Sequence, residues 1–310
     1  MILNNKKDTN STCTVTFSEL LLTEYLTHLA KTDTVNLTYD DTIDKNLRYI
    51  GGSPNNYVIF NNELWRAIGV MNNVEDANGN RESHVKLIRS ESIGDYSWDN
   101  KLSGTGSSTS SNGSNDWSDA TLMNILNQGL YWNRTSGTCS NGKNGAITSC
   151  DFTSIGLTTD AKRMIRSIQW NLGGYKTYDA PASTFYTSER GTIAYSGRPT
   201  TWIGYVGLMY PSDYGYAVGG SVRSICLSQN LHTYNENSCK ENNWIYLTTT
   251  EWTISPRSDH AYYAFNINGN GYLYFSSAYN TYAIRPNVYL NTNIKKTGGT
   301  GTLEDPFTIE

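Results

Sequence analysis

Charge is scarce in this chain. Only 17% of its residues are Asp, Glu, Lys or Arg, the net charge is −4, and no Lys/Arg block exceeds two residues. A nucleic-acid surface needs a basic stripe that releases counterions, so that class is excluded. No stretch approaches the roughly 18 consecutive apolar residues of a membrane-spanning helix. The N-terminal "MILNNKKDTNSTC" lacks the apolar core of a secretory signal. None of the five cysteines forms C-x-x-C, which excludes zinc-ribbon and thioredoxin readings. His28, His84, His232 and His260 are scattered, and none has the spacing of a zinc-binding helix. There is no P-loop and no G-x-S-x-G elbow.

Where charge is missing, Asn, Ser, Thr, Gly and Tyr stand instead. The 23 Tyr and 8 Trp supply ample apolar area for a core. The cysteines add a second clue. Cys139 and Cys150 bracket "CSNGKNGAITSC", and Cys226 and Cys239 bracket "CLSQNLHTYNENSC". Neither loop has apolar periodicity to hold it down, so a disulfide across each is expected rather than four free thiols. Each would stabilise its loop by roughly 2–3 kcal/mol. That pairing implies an oxidising, extracellular setting, with the leader or anchor absent from this chain. Cys13 is left over, free or paired elsewhere.

Along the chain, residues 17–31 read as a helix capped by Ser18, with Leu22, Tyr25, Leu26 and Leu29 on one face. "YVIFNNELWRAIGVM" reads as two strands around Asn61-Asn62. "EDANGN" carries Asp76 and Asn78 at calcium-loop spacing, but Leu87 stands where the closing acid belongs, so it reads as a hairpin turn. Residues 103–116 read as a flexible surface loop. "DWSDATLMNILNQG" reads as a helix with Ser118 as cap, Leu122, Ile125 and Leu126 inward and Gly129 as stop. A second helix is expected over 158–172, capped by Thr158 or Thr159, with Ala161, Met164, Ile165, Ile168 and Leu172 as its stripe and Gly173 as its end. From about 183 onward, short aromatic-rich strands are expected. The whole is an α+β pattern.

The densest patterning is "AYYAFNINGNGYLYFSSAYNTYAIRPNVYL", residues 261–290. Read as a hairpin, period 2 puts Ala261, Tyr263, Phe265, Ile267, Leu273 and Phe275 on a core face. Tyr262, Asn266, Tyr272 and Tyr274 take the other, and Phe265 then opposes Leu273 or Phe275 through an odd loop of three or five residues. That Tyr/Asn face, continued by Tyr279, Asn280 and Tyr282, is either a second packed layer or a contact surface. Tyr, Asn, Ser and Gly are what binding loops use for adaptable, low-entropy contacts.

The landmarks Trp252-Thr-Ile-Ser255-Pro256, Ala261, Gly271 and Arg285-Pro286 in "AIRPNVYL" resemble a group of bacterial proteins with a C-type-lectin-like fold, related to the formylglycine-generating, sulfatase-modifying enzymes. "FNNELWRAIGV", "NDWSDATLMNILN" and "VGLMYPSDYGYA" fit the same group, so the resemblance covers about residues 45–290. It implies a twisted antiparallel sheet with two or more flanking helices and long loops. The division it implies is an N-terminal helical segment or stalk end over 1–44, the lectin-like domain over 45–292, and a tail over 293–310. Trp252 would anchor the core, Pro256 would fix the turn into the next strand, and Arg285 and Pro286 would position the last strand. The ligand face would fall in 257–282, on Tyr262, Asn266, Tyr272, Tyr274, Tyr279, Asn280 and Tyr282.

The function expected from this is a non-catalytic, surface-displayed or secreted binding domain, adhesin- or receptor-like, for glycan or protein ligands. A sulfatase-modifying type of enzyme or a hydrolase is one alternative. The absence of any cysteine after Cys239 tells against the former. Asp259 and His260 offer only an isolated fragment of a triad. A subunit of a pilus-like fibre, self-assembling through the N-terminal segment, is the other alternative. No cofactor is called for; acceptor-rich loops would accept calcium, but none demands it.

Overall fold

Two adjacent asparagines make the first hairpin. Asn61 and Asn62 adopt φ of 57° and 62°, the positive pair that a two-residue turn needs to match strand twist. They join the strand Tyr57–Phe60 to the long strand Glu63–Glu75, in the register Phe60↔Glu63 and Tyr57↔Arg66. The computed structural model describes residues 20–102 and 113–310. Ser18, Cys13 and residues 103–112 of the expected loop lie outside the described residues.

Glu63–Glu75 is the spine of a nine-stranded sheet. Arg81–Arg89 returns beside it through the "EDANGN" turn, as expected. Asp76 organises that turn: its carboxylate accepts the backbone N–H of Asn78 (2.8 Å) and Asn80 (2.9 Å) and binds the Arg166 guanidinium. Those oxygens are spent on N–H donors. At Gly69 (φ 152°) the spine bulges, and a Cβ there would lie 1.9 Å from the Leu47 carbonyl oxygen. Only glycine lets Leu47–Tyr49 approach so closely.

Asn287–Tyr289 extends the sheet on the far side of Arg81–Arg89. On the near side, Phe307–Ile309 lies parallel to Tyr57–Phe60, and Lys296–Gly298 lies beyond it. The residues read from sequence as a tail thus supply two strands, because Phe307 is fully buried and Tyr25 packs edge-on against it at 5.6 Å. The helix Leu22–Leu29 buries Leu22 and Leu26 and contacts both Glu63–Glu75 and Arg81–Arg89. Its apolar face is occupied by its own sheet.

A second, five-stranded sheet runs Leu273–Ser277, Tyr263–Ile267, Glu251–Pro256, Thr281–Ala283 and Asp95–Ser97. Its Glu251↔Ala283 pairing is parallel. The architecture is therefore α+β, with two parallel pairings in sheets expected to be antiparallel throughout. Trp65, Trp98, Trp117, Trp170 and Trp252 are fully buried, and such large aromatic areas carry much of the hydrophobic stabilisation.

Four local expectations are corrected. The helix over 158–172 covers only Thr159–Met164, capped by Thr158, whose hydroxyl accepts the Ala161 N–H at 3.1 Å. Ile165 turns extended, and Ile168–Asn171 pairs with Thr201–Gly204 as a strand. Ile168 and Leu172 are four apart, a spacing that suits one strand face as well as one helix face, and Trp170↔Trp202 pairing decides for the strand. Ser118 is not the expected cap: Asp116 accepts the Ser118 N–H at 3.1 Å, and Asp99 reaches the Thr121 N–H at 3.0 Å to hold the helix Thr121–Asn127. Gly129 ends that helix as expected, but a further turn, Leu130–Asn133, starts directly after it.

The expected strand region from 183 contains the helices Ala182–Glu189, Pro211–Tyr216 and Arg223–Ser228. Pro211 sits at a helix start, where a missing N–H costs nothing, and Asp213 accepts the Tyr210 N–H at 3.0 Å. Finally, Ser114 and Asn115, expected to be mobile, are buried. The Asn115 amide donates to the carbonyls of Arg257 (2.9 Å), His260 (2.8 Å) and Tyr263 (2.9 Å).

Candidate functional site: an aromatic ribbon on the edge hairpin

The hairpin forms in the expected register. Phe265 opposes Phe275, Ile267 opposes Leu273, and residues 268–272 make a five-residue loop. Gly271 takes φ 90° at its end. The loop is clamped from outside the hairpin. The Tyr214 hydroxyl donates to the Gly271 carbonyl (2.7 Å), and the Tyr246 hydroxyl donates to that of Gly269 (2.8 Å).

Phe265, Ile267 and Leu273 are buried, and Phe185 meets Phe265 edge-on at 5.3 Å. Phe275 and Tyr263, placed by alternation on the same core face, are only half-buried. The Phe275 ring packs against the core and lies under the Arg257 guanidinium at 3.9 Å. Arg257 is held by both oxygens of Asp259, at 2.9 and 2.8 Å. The expected solvent face divides. Tyr272 and Tyr274 are open to solvent, Tyr274 to 38%. Asn266 is not: it is 1% exposed and donates to Ser276 at 3.1 Å. Ser276 meets the Tyr282 hydroxyl at 3.0 Å, and the Tyr282 ring lies 4.8 Å from Trp252. Asn266 is therefore an internal hydrogen-bonding residue, because Trp252 and Tyr282 cover that face of the sheet.

Leu273–Ser277 is the edge strand, so its side chains can fold around the sheet margin. Tyr274 does so, stacking on Phe275 at 4.9 Å with 9° between planes. Two residues that sequence reasoning passed over complete the surface. Tyr178 stacks on Tyr274 (5.4 Å) and on Phe275 (5.5 Å), and His232 lies 4.3 Å from Tyr178 and 5.5 Å from Tyr272. Phe275 continues to Tyr263 at 5.0 Å, and Tyr263 to Tyr262 at 4.6 Å. The result is an unbroken ribbon of half-exposed rings from Tyr272 to Tyr262. Tyr279, Asn280 and Tyr282 are grouped apart, around a shallow cleft of about 300 Å³ with Lys143, whose amine lies 4.9 Å from the Tyr279 ring.

Arg285 and Pro286 precede the strand Asn287–Tyr289, which is not the last strand as expected, because Lys296–Gly298 and Phe307–Ile309 follow it. Trp252 is buried and donates to the Tyr96 carbonyl at 3.2 Å. Pro256 lies at a register shift opposite Ala264. Arg285 is buried and bonded to both Glu251 oxygens at 2.8 and 2.7 Å, and to the Ile245 carbonyl at 2.6 Å. Burial still pushes the Glu251 pKa up, although Arg285 opposes the shift. Pro286 accepts the Arg89 N–H through its carbonyl at 3.0 Å. The disulfides Cys139–Cys150 and Cys226–Cys239 both form. Cys226–Cys239 closes the loop that carries His232.

Away from the ribbon lies a buried ionic network that the sequence did not announce. Arg48 bonds Asp40 (2.7 Å) and Asp213 (2.9 Å), and Lys86 bonds the other Asp213 oxygen (2.5 Å). All four side chains are almost completely buried. Burial brings the Lys86 pKa down to about 8, while Lys86 and Arg48 together hold Asp213 far below the usual carboxylate range. Beside them Glu189 accepts the Ser212 N–H (3.0 Å) and hydroxyl (2.5 Å), and burial pushes its pKa up to about 7.

Among the described residues no group of three or more His, Cys, Asp and Glu is arranged to hold a metal ion. No helix among them is long and apolar enough to cross a membrane. The chain matches no protein-family model, no curated protein and no solved structure.

Proposed function

We propose that this protein is a non-catalytic binding domain that works outside the cell, with the C-type-lectin-like architecture that its C-terminal landmarks resemble. It holds a glycan or protein ligand against the ribbon of Tyr272, Tyr274, Phe275, Tyr263 and Tyr262, with Tyr178 and His232 behind. The observation that carries this reading is the ribbon itself: rings stacked on one another, half-open to water and mounted on a clamped hairpin.

Stacked rings have little rotamer freedom left to lose, so a ligand gains contact area at low entropic cost. Tyrosine also keeps a hydroxyl for hydrogen bonding at the edge of each ring. The two disulfides are compatible with an extracellular setting. A sulfatase-modifying activity finds no described thiol, because Cys139, Cys150, Cys226 and Cys239 are all paired. A fibre-subunit role loses the apolar face of its N-terminal helix, which Leu22 and Leu26 commit to the protein's own sheet.

The test is a glycan array with the non-reduced protein, run beside a folded Tyr272→Ala/Tyr274→Ala variant. Binding by the wild type that the variant loses is the expected result. Binding that survives in the variant would remove the ribbon as the site. A silent array, followed by no capture of any protein ligand by the wild type over the variant, would remove the function.

A further inference from the structure

The buried guanidinium groups of Arg48 and Arg285 each have a counter-charge, and the half-buried one of Arg66 does not. Arg48 meets Asp40 and Asp213, and Arg285 meets Glu251. Arg66, on the spine strand, makes no ion pair among the described residues. Its guanidinium lies against two rings instead, 4.4 Å from the centroid of Tyr57 and 4.5 Å from that of Trp244. Its hydrogen bonds go to neutral oxygens: Asn56 Oδ1 (2.8 Å), the Pro54 carbonyl (3.3 Å) and, at the limit of bonding distance, the Trp244 carbonyl (3.5 Å). Burial brings its pKa down to about 10, and the nearby charge of Arg285 pushes the same way. A half-buried cation without a carboxylate is costly, and such charges are normally paired.

Arg66 opens onto a cleft of about 500 Å³ between the spine strand and residues 240–247. Lys240 lines the same cleft and forms no ion pair among the described residues; its amine lies 5.8 Å from the Tyr246 ring. Ser90 also lines it, and its hydroxyl is buried without a hydrogen-bond partner. Glu91 and Glu241 lie on the exposed rim, and neither pairs with Arg66 or Lys240. Two unpaired cations and an unused hydroxyl thus converge on a space large enough for a small organic molecule.

We propose that this cleft binds an oxyanion, a carboxylate or sulfate group carried by a small ligand, with Arg66 and Lys240 supplying the charge and Ser90 a hydrogen bond. A guanidinium fork matches the two oxygens of either group, and the contacts with the Tyr57 and Trp244 rings fix its orientation in advance. This site is separate from the aromatic ribbon and does not depend on the function proposed for it.

The experiment uses the full chain at constant ionic strength set with sodium chloride. Sodium sulfate, sodium acetate, glucuronate and glucose 6-sulfate are titrated by calorimetry and by thermal shift. The expected result is binding by at least one of them above the chloride background, weakened about tenfold or more in Lys240→Ala and in Arg66→Gln. Lys240→Ala keeps the test decisive if Arg66→Gln does not fold, because Lys240 is a half-exposed side chain without an ion pair. The pair glucuronate and glucose 6-sulfate tells carboxylate from sulfate. Tyr272→Ala/Tyr274→Ala should bind these probes as the wild type does, so failure here is distinguishable from failure of the ribbon. No binding by any probe, or binding unchanged in Lys240→Ala, would overturn the proposal.

Discussion

Arg48, Lys86, Asp40 and Asp213 are closed off from water, each facing an opposite charge at hydrogen-bonding distance. Tyr262, Tyr263, Tyr272, Tyr274 and Phe275 pack on one another and on their neighbours while part of each ring stays open to water. Both regions are rich in groups that recognise partners. In the network the partners are already present, so the groups hold the fold together. Along the ribbon only the inner contacts are filled, and the remainder is available to a ligand. The lesson is that chemical richness alone does not mark a site; unfilled capacity does. The same criterion separates Arg66 from Arg48 and Arg285.

The largest expected effect comes from breaking the network. Asp213→Asn would leave Lys86 and Arg48 each short of a carboxylate in a fully buried setting. Removing one partner of a buried pair costs about 3–5 kcal/mol, so urea unfolding should show a loss of that order. A variant of near wild-type stability would mean that the network is dispensable, and the contrast with the ribbon would collapse.

Glu189, with Arg190, Ser212 and Asp213 around it, gives the network a pH signature. Its folded pKa is about 7, against about 4.5 for the ordinary carboxyl. Between those values the folded protein keeps a proton that the unfolded chain has released. Stability from this group is therefore full below about pH 4.5, falls as pH rises to about 7, and is flat above. The span is on the order of 3 kcal/mol. Glu189→Gln should remove that slope, and the difference between the two urea-stability profiles across pH measures it. Parallel profiles would show that Glu189 is ionised in the fold.

Which of these regions could be read from sequence follows from how each is encoded. The hairpin was legible because period 2 and Gly271 fix a register locally, and the disulfides because each closes a short loop. The network was not. Lys86 stands between Val85 and Leu87 in an alternating strand, where alternation assigns a lysine to solvent, but both faces of that strand are covered. Its partner Asp213 lies 127 residues away. Tyr178 and His232 were missed for the same reason, since one enters the ribbon from a loop and the other from the 3-10 turn Leu231–Thr233, and the position of both depends on the completed fold. Alternation also failed for Phe275, because on an edge strand the core face runs out before the strand does, and for Tyr263, which opens the neighbouring strand at the same end of the hairpin.

Next in size is the disulfide that supports the ribbon. Cys226→Ser/Cys239→Ser should cost roughly 2–3 kcal/mol through the freed loop. It should also loosen His232, which stacks on Tyr178. The ribbon would then be less ordered, and ligand affinity should fall together with stability. Hydrogen exchange at residues 226–239 would detect the loosening. Exchange that stays at wild-type rates would show that the ribbon does not depend on this loop.

The smallest effect on stability, and the largest on binding, is expected at Tyr272 and Tyr274. Tyr274 stacks on Phe275 and Tyr178, and an aromatic pair contributes about 0.5–1.5 kcal/mol beyond its buried area. The rings are half-exposed, so truncation leaves no closed cavity to add a further penalty. Tyr274→Ala should therefore cost about 1 kcal/mol, well below the effect of Asp213→Asn, with Tyr272→Ala costing less because its ring meets only edges. If the double variant instead unfolds like Asp213→Asn, the ribbon is a layer of the core whose capacity is already filled. If it folds and loses ligand, the same two rings are the surface on which this protein makes contact.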